Sequence, residues 1–211
     1  ITGWNGRFDN AKKDGAKVGY TFNQALRDYD CFAIPKGAPN KDMAMKFLGE
    51  ISKAFNSHIR EEYSSAIVAI GDNKIRKNIC VKYNIKLHEA LIHKTATVSK
   101  AATVSKGSVV MAGAVINHSA KIGENSIINS NAIIEHDVSI TKFVHVSPGA
   151  IVTGGVSIGE GSHIGAGASI IPGIKIGKWV TIGAGAVILK DVPDHAVVVG
   201  NPGRIIKYNK N

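Results

Sequence analysis

Two histidines nine residues apart, His136 and His145, stand in the segment AIIEHDVSITKFVHVSPGAIV, and carboxylates flank the first of them at Glu135 and Asp137. Imidazole can take or give a proton near neutral pH, since its unperturbed pKa is about 6.5. A histidine beside a carboxylate is therefore a candidate acid or base. A plain surface histidine fits the same residues, so the segment alone leaves both interpretations open.

The same segment is part of a six-residue repeat. Isoleucine or valine fills every sixth position without a break: Ile92, Val98, Val104, Val110, Ile116, Ile122, Ile128, Ile134, Ile140, Val146, Val152, Ile158, Ile164, Ile170, Ile176, Ile182 and Ile188. A small residue usually stands two positions before each of these, and glycine often stands one position after, as at Gly123 and Gly159. A period of six matches neither a helix nor a simple alternating strand, and it indicates a solenoid.

The repeat predicts where each side chain points. The branched residue faces the core, the small residue before it fits a narrow corner, and glycine takes turn angles that other residues resist. Three hexapeptides close a coil of eighteen residues, and stacked coils pair as parallel strands about 4.8 Å apart. We therefore predict a mainly β fold of five to six coils over residues 91–192. His136 and His145 lie off the inward positions, so their rings project from the solenoid.

A strand, a glycine turn and a helix are predicted ahead of the solenoid. The strand is Ala66–Ile70, the turn begins at Gly71, and Asp72 or Asn73 caps the helix. The apolar residues of this helix fall on one face: Ile75, Ile79 and Tyr83. A strand followed by a glycine turn and a helix N-terminus can bind an anion. An ordinary α/β turn has the same pattern, so the pattern alone does not establish a site.

These two elements together resemble a known enzyme family. The hexapeptide pattern resembles the left-handed parallel β-helix of hexapeptide-repeat acyltransferases. The stretch AIGDNKIRKNI ahead of it resembles the sialic acid O-acetyltransferase and bacillosamine-type sugar N-acetyltransferase family, which joins a small Rossmann-like sugar-nucleotide domain to the β-helix. The usual G-x-G-G-H start of that domain is missing, so residues 49–90 are expected to form a truncated or substituted α/β region.

The resemblance also implies an activity and an active site. Members transfer an acetyl group from acetyl-CoA to an amino or hydroxyl group of a sugar or nucleotide sugar. The stretch IIEHDVSITKFVHVSPGAIVTGG looks like the family's active-site coil, which implies that His136 is the general base. Asp137 or Glu135 would orient its ring. His145 would line the acetyl or acceptor pocket, and the Gly154 N–H would stabilise the oxyanion.

Ligand and assembly contacts follow from the same resemblance. Acetyl-CoA would lie in a groove between subunits of a homotrimer, under the C-terminal segment 193–211. Its predicted contacts are Gly154, Gly165, Gly183, Ala184, Lys190, Gly200, Asn201, Pro202 and Arg204. The predicted sugar-nucleotide contacts are Gly71, Asp72, Asn73, Arg76 and His145. Apolar residues off the repeat are expected to form the trimer interface: Val138, Phe143, Val144 and Val156. No metal is expected.

The first part of the chain resembles something else. Residues 28–48, DYDCFAIPKGAPNKDMAMKFL, resemble the C-terminal part of periplasmic polyamine-type solute-binding proteins. Fewer than fifty residues cannot form the two lobes that such a protein needs. We therefore interpret residues 1–48 as a segment foreign to the enzyme. A divergent but genuine N-terminal domain is the competing interpretation.

Composition narrows the class of partner. The net charge of +10 is spread along the chain, with fifteen basic and ten acidic residues in 1–90 and eleven and six in 91–211. Nucleic-acid-binding proteins usually concentrate their charge on one face, so small anionic ligands fit better. No apolar run approaches the ~18–20 residues of a membrane span. Cys31 and Cys80 form no disulfide framework and no leader is visible, so we expect a cytoplasmic protein.

Rival functions on the same fold make distinct demands. A γ-type carbonic anhydrase needs three metal-binding histidines with one close pair, and the nearest such pair is His88 and His93, ahead of the first coil. An acetyltransferase for a non-sugar acceptor usually carries a helical N-terminal domain or a loop that interrupts the repeat. The repeat here is never interrupted, which favours a sugar acceptor. A solute-binding module would depend on residues 1–48 alone.

Overall fold

The structure is a computed structural model that describes residues 65–209. The predicted foreign segment 1–48, part of the predicted region 49–90 and the last two residues lie outside the described part. Within the described part, no helix is both long enough and apolar enough to cross a membrane.

Seventeen two-residue strands form the body of the described chain. Each consists of a repeat residue and the residue before it: β1 (Leu91–Ile92), β2 (Thr97–Val98), β3 (Thr103–Val104), β4 (Val109–Val110), β5 (Val115–Ile116), β6 (Lys121–Ile122), β7 (Ile127–Ile128), β8 (Ile133–Ile134), β9 (Ser139–Ile140), β10 (His145–Val146), β11 (Ile151–Val152), β12 (Ser157–Ile158), β13 (His163–Ile164), β14 (Ser169–Ile170), β15 (Lys175–Ile176), β16 (Thr181–Ile182) and β17 (Val187–Ile188). Helix α1 (Asn73–Lys82) precedes them, and β18 (Ala196–Val199) and β19 (Arg204–Tyr208) follow.

Every third strand pairs in parallel, which gives a three-sided prism. Sheet 1 contains β1, β4, β7, β10, β13, β16, β18 and β19, sheet 2 contains β2, β5, β8, β11, β14 and β17, and sheet 3 contains β3, β6, β9, β12 and β15. We call the turns corner A (from sheet 1 to sheet 2), corner B (from sheet 2 to sheet 3) and corner C (from sheet 3 to sheet 1). The predicted solenoid of five to six coils is confirmed. Strand β18 stacks on β16 and extends sheet 1 past residue 192, and β19 pairs antiparallel to it.

The core is the column of repeat residues inside the prism. From Val110 to Ile188, every repeat residue is at most 3% exposed. Ile92, in the first coil, is 47% exposed. That coil has only one neighbouring coil in the described part of the chain, and in a solenoid each coil buries the core of the next.

From Val104 to Ile182, the left-handed turn lies three residues after each repeat residue, not one as predicted. Fourteen successive turns have positive φ there: Gly107, Gly113, Ser119, Asn125, Asn131, Asp137, Phe143, Gly149, Gly155, Gly161, Gly167, Gly173, Trp179 and Gly185. The glycines directly after the repeat residues have another cause. A Cβ on Gly123 would lie 2.6 Å from the carbonyl carbon of Thr141 in the next coil, so close stacking requires glycine there.

Helix α1 starts as predicted, but a different face of it is buried. Asp72 caps the helix, because its Oδ1 accepts a hydrogen bond from the Ile75 N–H at 3.0 Å. The buried face carries Asn73, Arg76 and Cys80. The face predicted from its apolar residues, which are Ile75, Ile79 and Tyr83, is half-buried. The predicted strand Ala66–Ile70 is reduced to a parallel bridge between Ala66 and Leu87.

Candidate active site

His136 lies in corner B, two residues after the end of β8. Its Nδ1 lies 2.9 Å from Oδ2 of Asp137. The two side chains are 62% and 64% exposed, so solvent and ligands reach them. Asp137 has φ of 59°, in the left-handed region that Asp and Asn tolerate better than most residues. The turn that every corner needs thus also brings this carboxylate to the ring.

Asp137, rather than Glu135, is the carboxylate that holds the ring. Among the described residues, the His136 ring hydrogen-bonds only to Asp137. A proton on Nδ1 donates to the carboxylate and leaves the lone pair of Nε2 free to accept another proton. The arrangement therefore fixes the tautomer that a general base needs.

Gly154 occupies the place of His136 one coil later and touches its ring. A Cβ on Gly154 would lie 2.7 Å from both Cε1 and Nε2 of His136, so contact with the ring requires glycine here. The Gly154 carbonyl accepts a hydrogen bond from the Gly173 N–H at 3.0 Å. The Gly154 N–H has no partner within residues 65–209. An unpaired N–H thus lies close to the candidate base.

Corner B continues as a column along the prism. The residues equivalent to His136 are spaced by eighteen: Lys100, His118, His136, Gly154, Pro172 and Lys190. With coils about 4.8 Å apart, Lys190 lies about 14 Å from His136 along the column. Small exposed residues fill the space between them, including Gly155 and Gly173. The column therefore forms an open track that runs from the candidate base to a lysine.

The turn between β18 and β19 lies at the lysine end of this track. The Val187 N–H donates to the Gly200 carbonyl at 3.0 Å, and the Gly203 N–H donates to the Val187 carbonyl at 2.8 Å. These bonds fix the exposed residues of the turn, which are Gly200, Asn201, Pro202 and, at the start of β19, Arg204. Five of the predicted CoA contacts, Lys190 among them, are thus grouped at the end of sheet 2.

Three other predicted CoA contacts lie in corner A, across sheet 2 from His136. A Cβ on Gly165 would lie 2.6 Å from the backbone nitrogen of Ala184, and a Cβ on Gly183 would lie 2.8 Å from Val199. Close stacking of the coils therefore already requires both glycines. Ala184 is exposed beside them. Within one chain, these residues are not part of the His136 cluster.

His145 lies on sheet 1, away from corner B. Its Nδ1 donates to the Gly71 carbonyl at 3.2 Å, and its Nε2 accepts from Asn129 Nδ2 at 3.1 Å. The ring stacks on His163 with centroids 4.9 Å apart. Burial, together with the nearby His163, lowers the pKa of His145 to about 4, so the ring is neutral at pH 7. Among the residues that the structure describes, it shares no hydrogen-bond partner with His136.

The side chains of Arg76 and Asn73, which are predicted to contact the sugar nucleotide, are buried in the structure. Arg76 is 1% exposed and Asn73 is 8% exposed. The Arg76 guanidinium donates to backbone carbonyls of the prism and of the preceding loop, and Asn73 Nδ2 donates to the Gly161 carbonyl at 3.0 Å. Their hydrogen-bonding groups are used inside the protein, so these side chains join α1 to the prism.

Gly71 keeps its place among the candidate ligand contacts. Its φ is not in the left-handed region, and a Cβ would meet only His145 Cε1 at 3.9 Å, an ordinary contact. Neither conformation nor packing therefore requires glycine. A close approach of a ligand to the backbone is a further reason for glycine at such a position. Asp72, beside it, is half-buried and caps the helix.

The predicted interface residues are part of the chain's own core. Val138, Phe143, Val144 and Val156 are at most 5% exposed, so no partner subunit can contact them. The residues that point outward from sheet 2 are instead mostly apolar: Val115, Ile133, Ile151 and Val187. Those of sheet 3 are polar: Thr103, Lys121, Ser139, Ser157 and Lys175. The sequence contains a signal for this difference between the sheets. The outward residue stands directly before each repeat residue, and comparing these residues at intervals of eighteen separates the apolar sheet 2 from the polar sheet 3.

The described residues contain no group of three His, Cys, Asp or Glu side chains that could hold a metal ion. The histidine pair that a γ-type carbonic anhydrase would need has other contacts. His88 Nδ1 lies 2.9 Å from the Glu89 carbonyl, and His93 Nδ1 lies 2.9 Å from the Thr95 hydroxyl.

Comparison with known proteins agrees with this geometry. The family described as bacterial transferase hexapeptide (six repeats) matches residues 155–190. A mutant of perosamine N-acetyltransferase from Caulobacter crescentus, in complex with CoA and GDP-perosamine, is 37% identical and has a TM-score of 0.68, over 71% of this chain and 72% of that one. The acetyltransferase domain of PglB from Neisseria gonorrhoeae FA1090 is 42% identical with a TM-score of 0.65, over 66% of this chain and 69% of that one.

A further neighbour has lower identity. WeeI from Acinetobacter baumannii AYE is 28% identical with a TM-score of 0.62, over 68% of this chain and 72% of that one. No curated protein matches the chain. The uninterrupted repeat, the three-sided prism and the identity of 37% over most of both chains lead to one assignment. The chain belongs to the hexapeptide-repeat acetyltransferases of sugars, enzymes built on a left-handed parallel β-helix.

Proposed function

We propose that the protein transfers the acetyl group of acetyl-CoA to the amino group of a nucleotide-linked amino sugar, with His136 as general base. The observation that carries this proposal is the cluster in corner B. Asp137 holds the ring of His136 through Nδ1, and the backbone of Gly154, whose N–H has no partner within residues 65–209, lies against the same ring. Structural neighbours that acetylate an amino sugar favour an amine over a hydroxyl acceptor.

The reaction needs two proton transfers, one from the amine to His136 and one from His136 to the sulfur of CoA. The amine nitrogen attacks the thioester carbonyl while Nε2 of His136 removes its proton. The Gly154 N–H stabilises the oxyanion, a contribution of about 3–4 kcal/mol in enzymes of known mechanism. The C–S bond then breaks, and His136 returns the proton to the sulfur of CoA. A positioned base contributes roughly 10²–10⁴-fold to such a step.

The track along corner B suits the acyl donor. With the thioester at His136, the chain of CoA would run over Gly154 and Pro172 and bring its phosphates to Lys190 and Arg204. A cation and a phosphate form strong charge-assisted hydrogen bonds. A homotrimer packed through the apolar face of sheet 2 would place corner A of one subunit beside corner B of the next. Gly165, Gly183 and Ala184 would then line the opposite wall of the groove.

The acceptor would contact the loop at the start of α1. Gly71 is open there, and a helix N-terminus favours anionic groups such as the diphosphate of a nucleotide sugar. The net charge of +10 also favours anionic substrates. Because both substrates are metabolites of the cell interior, we place the reaction in the cytoplasm.

A panel of acceptors tests this proposal. The full chain would be mixed with acetyl-CoA and, in separate reactions, with nucleotide-linked amino sugars, free sialic acid and non-sugar amines. Free thiol release and the mass of the product are measured. We expect one N-acetylated nucleotide sugar to form far faster than any other product. Faster acetylation of sialic acid or of a non-sugar amine would contradict the proposed acceptor.

A further inference from the structure

We infer that Arg76 is a positioning residue: it holds the loop that precedes α1, residues 70–72, at a fixed height on the prism, so that the acceptor meets the catalytic corner in register. The inference rests on the proposed function in one respect, namely that this loop contacts the acceptor. The observation behind it is a buried arginine that forms no ion pair within residues 65–209.

The charge of Arg76 is buried without a direct ion pair, although the nearby Asp72 carboxylate favours it. The side chain is 1% exposed, and no ion pair within residues 65–209 includes it. Burial lowers its pKa to about 10, so it is still charged at pH 7. Burying a charge is costly, and an apolar residue of similar volume often packs as well or better. The donors of the guanidinium, rather than its charge or bulk, therefore explain its presence.

These donors connect the loop to two successive coils. One terminal nitrogen lies 2.6 Å from the Ile70 carbonyl of the loop. Nε donates to the Asn125 carbonyl at 2.8 Å, and the other terminal nitrogen donates to the Phe143 carbonyl at 3.0 Å. Asn125 and Phe143 are equivalent positions of corner C, one coil apart. A lysine could not reach three carbonyls at once, since the planar fork is specific to arginine.

Asn73 extends the connection to a third coil. Its Oδ1 accepts from Arg76 at 2.7 Å, and its Nδ2 donates to the Gly161 carbonyl, one coil beyond Phe143. The spacing along the helix matches the spacing of the coils. The seven residues from Asn73 to Cys80 rise about 10 Å, and the two coils between Gly161 and Asn125, which these residues contact, span about the same distance. A shift of α1 by one coil would offer Arg76 equivalent carbonyls, but it would replace Glu160, the ion-pair partner of Lys77, by Lys142 or Lys178. The ion pair therefore selects one register, and the Arg76 bonds hold the loop at that height.

The loop has a second attachment beside the first. The Gly71 carbonyl accepts from His145 Nδ1 at 3.2 Å and lies 3.5 Å from Arg76. The carbonyls of Ile70 and Gly71 thus face the prism. The Cα of Gly71 carries no side chain that would cover the loop. The positioned surface is accordingly the one that we propose for the acceptor.

The test compares Arg76→Lys and Arg76→Met with Asn78→Ala, an exposed position on the same helix. KM is measured separately for the nucleotide sugar and for acetyl-CoA, and hydrogen–deuterium exchange is followed for residues 66–72. We expect both Arg76 variants to raise KM for the nucleotide sugar about tenfold or more, to leave KM for acetyl-CoA within about twofold, and to speed exchange in the loop. Asn78→Ala should change none of these.

An unchanged KM for the nucleotide sugar together with unchanged exchange would overturn the inference, as would an equal rise in both KM values. If the Arg76 variants do not fold, Asn73→Ala, which keeps the arginine, decides by the same measurements. An inactive wild-type enzyme would contradict the proposed function instead. The exchange measurement would then still decide whether Arg76 fixes the loop.

Discussion

His136 depends on two neighbours whose positions follow from the repeat. The left-handed turn three residues after Ile134 places Asp137 against Nδ1, and the equivalent residue one coil later, Gly154, lies against Nε2. One coil of the prism thus orients the ring, and the backbone of the next coil lies against it. Substitutions at these two neighbours test the site without removing the base.

Replacing Asp137 by Asn should lower kcat about tenfold to a hundredfold. An amide can present its N–H to Nδ1 and so favour the tautomer with the proton on Nε2, which cannot act as a base. Steady-state rates of thiol release measure the effect, and Glu135→Gln is the matched control because Glu135 does not pair with the ring. Equal losses in the two variants would contradict the assignment of Asp137.

Replacing Gly154 by Ala should reduce kcat by at least tenfold, because a Cβ would lie 2.7 Å from two atoms of the His136 ring and displace it. The melting temperature should change little, since the ring is at the surface. Lys142→Ala serves as the control, because Lys142 is exposed and lies in corner C, away from both walls of the proposed groove. Full activity of Gly154→Ala would show that the ring can move without loss of function.

At the scale of elements, the neutral ring of His145 links sheet 1 to the loop before α1. The pKa of His145 falls from 6.5 to about 4 on folding, so the unfolded chain binds more protons between these values. The stability of the folded state that depends on a neutral His145 is complete above about pH 6.5 and is lost as the pH falls toward 4. It amounts to about 3 kcal/mol at most.

Urea denaturation at pH 7 and at pH 4.5 measures this coupling. The free energy of unfolding of the wild type should fall over that range, and the fall should be smaller in His145→Gln, which cannot take up the proton. His88→Gln is the control, since that ring bonds only within its own loop and solvent reaches it. An identical fall in wild type and His145→Gln would contradict the buried, neutral ring.

The elements also show how far sequence reasoning reaches. The period of six identified the core, the coil count and the corner that carries His136, because these depend on residues close in sequence. It misplaced the left-handed turn, because glycine at position 123 is required by the carbonyl group of Thr141 in the next coil. The burial of Arg76 could not be predicted for a similar reason: two of the carbonyls that it binds lie 49 and 67 residues further along the chain.

At the scale of the whole molecule, the three faces of the prism differ in character. α1 lies along corner C, sheet 3 is polar, and sheet 2 presents an apolar outer face. Ile151, at the centre of that face, is 37% exposed in the single chain. An apolar face of this kind, together with a groove that needs two walls, supports the proposed trimer.

Replacing Ile151 by Asp should therefore dissociate the assembly, since it would bury three carboxylates without partners. Sedimentation should give about three times the 22.3 kDa of the chain for the wild type and a single chain for the variant. Activity should be lost with the trimer, because one wall of the groove is lost. Lys121→Asp, on sheet 3, should remain trimeric. A monomeric wild type that is fully active would contradict the shared groove.

The most direct test of the central claim is the turnover of His136→Ala at saturating acetyl-CoA and acceptor. We expect kcat to fall by 10²–10⁴-fold, with KM for both substrates within about threefold and an unchanged circular dichroism spectrum. The ring would then be needed for proton transfer and not for binding or folding. Turnover within twofold of the wild type would show that another group is the base and that corner B is not the catalytic site.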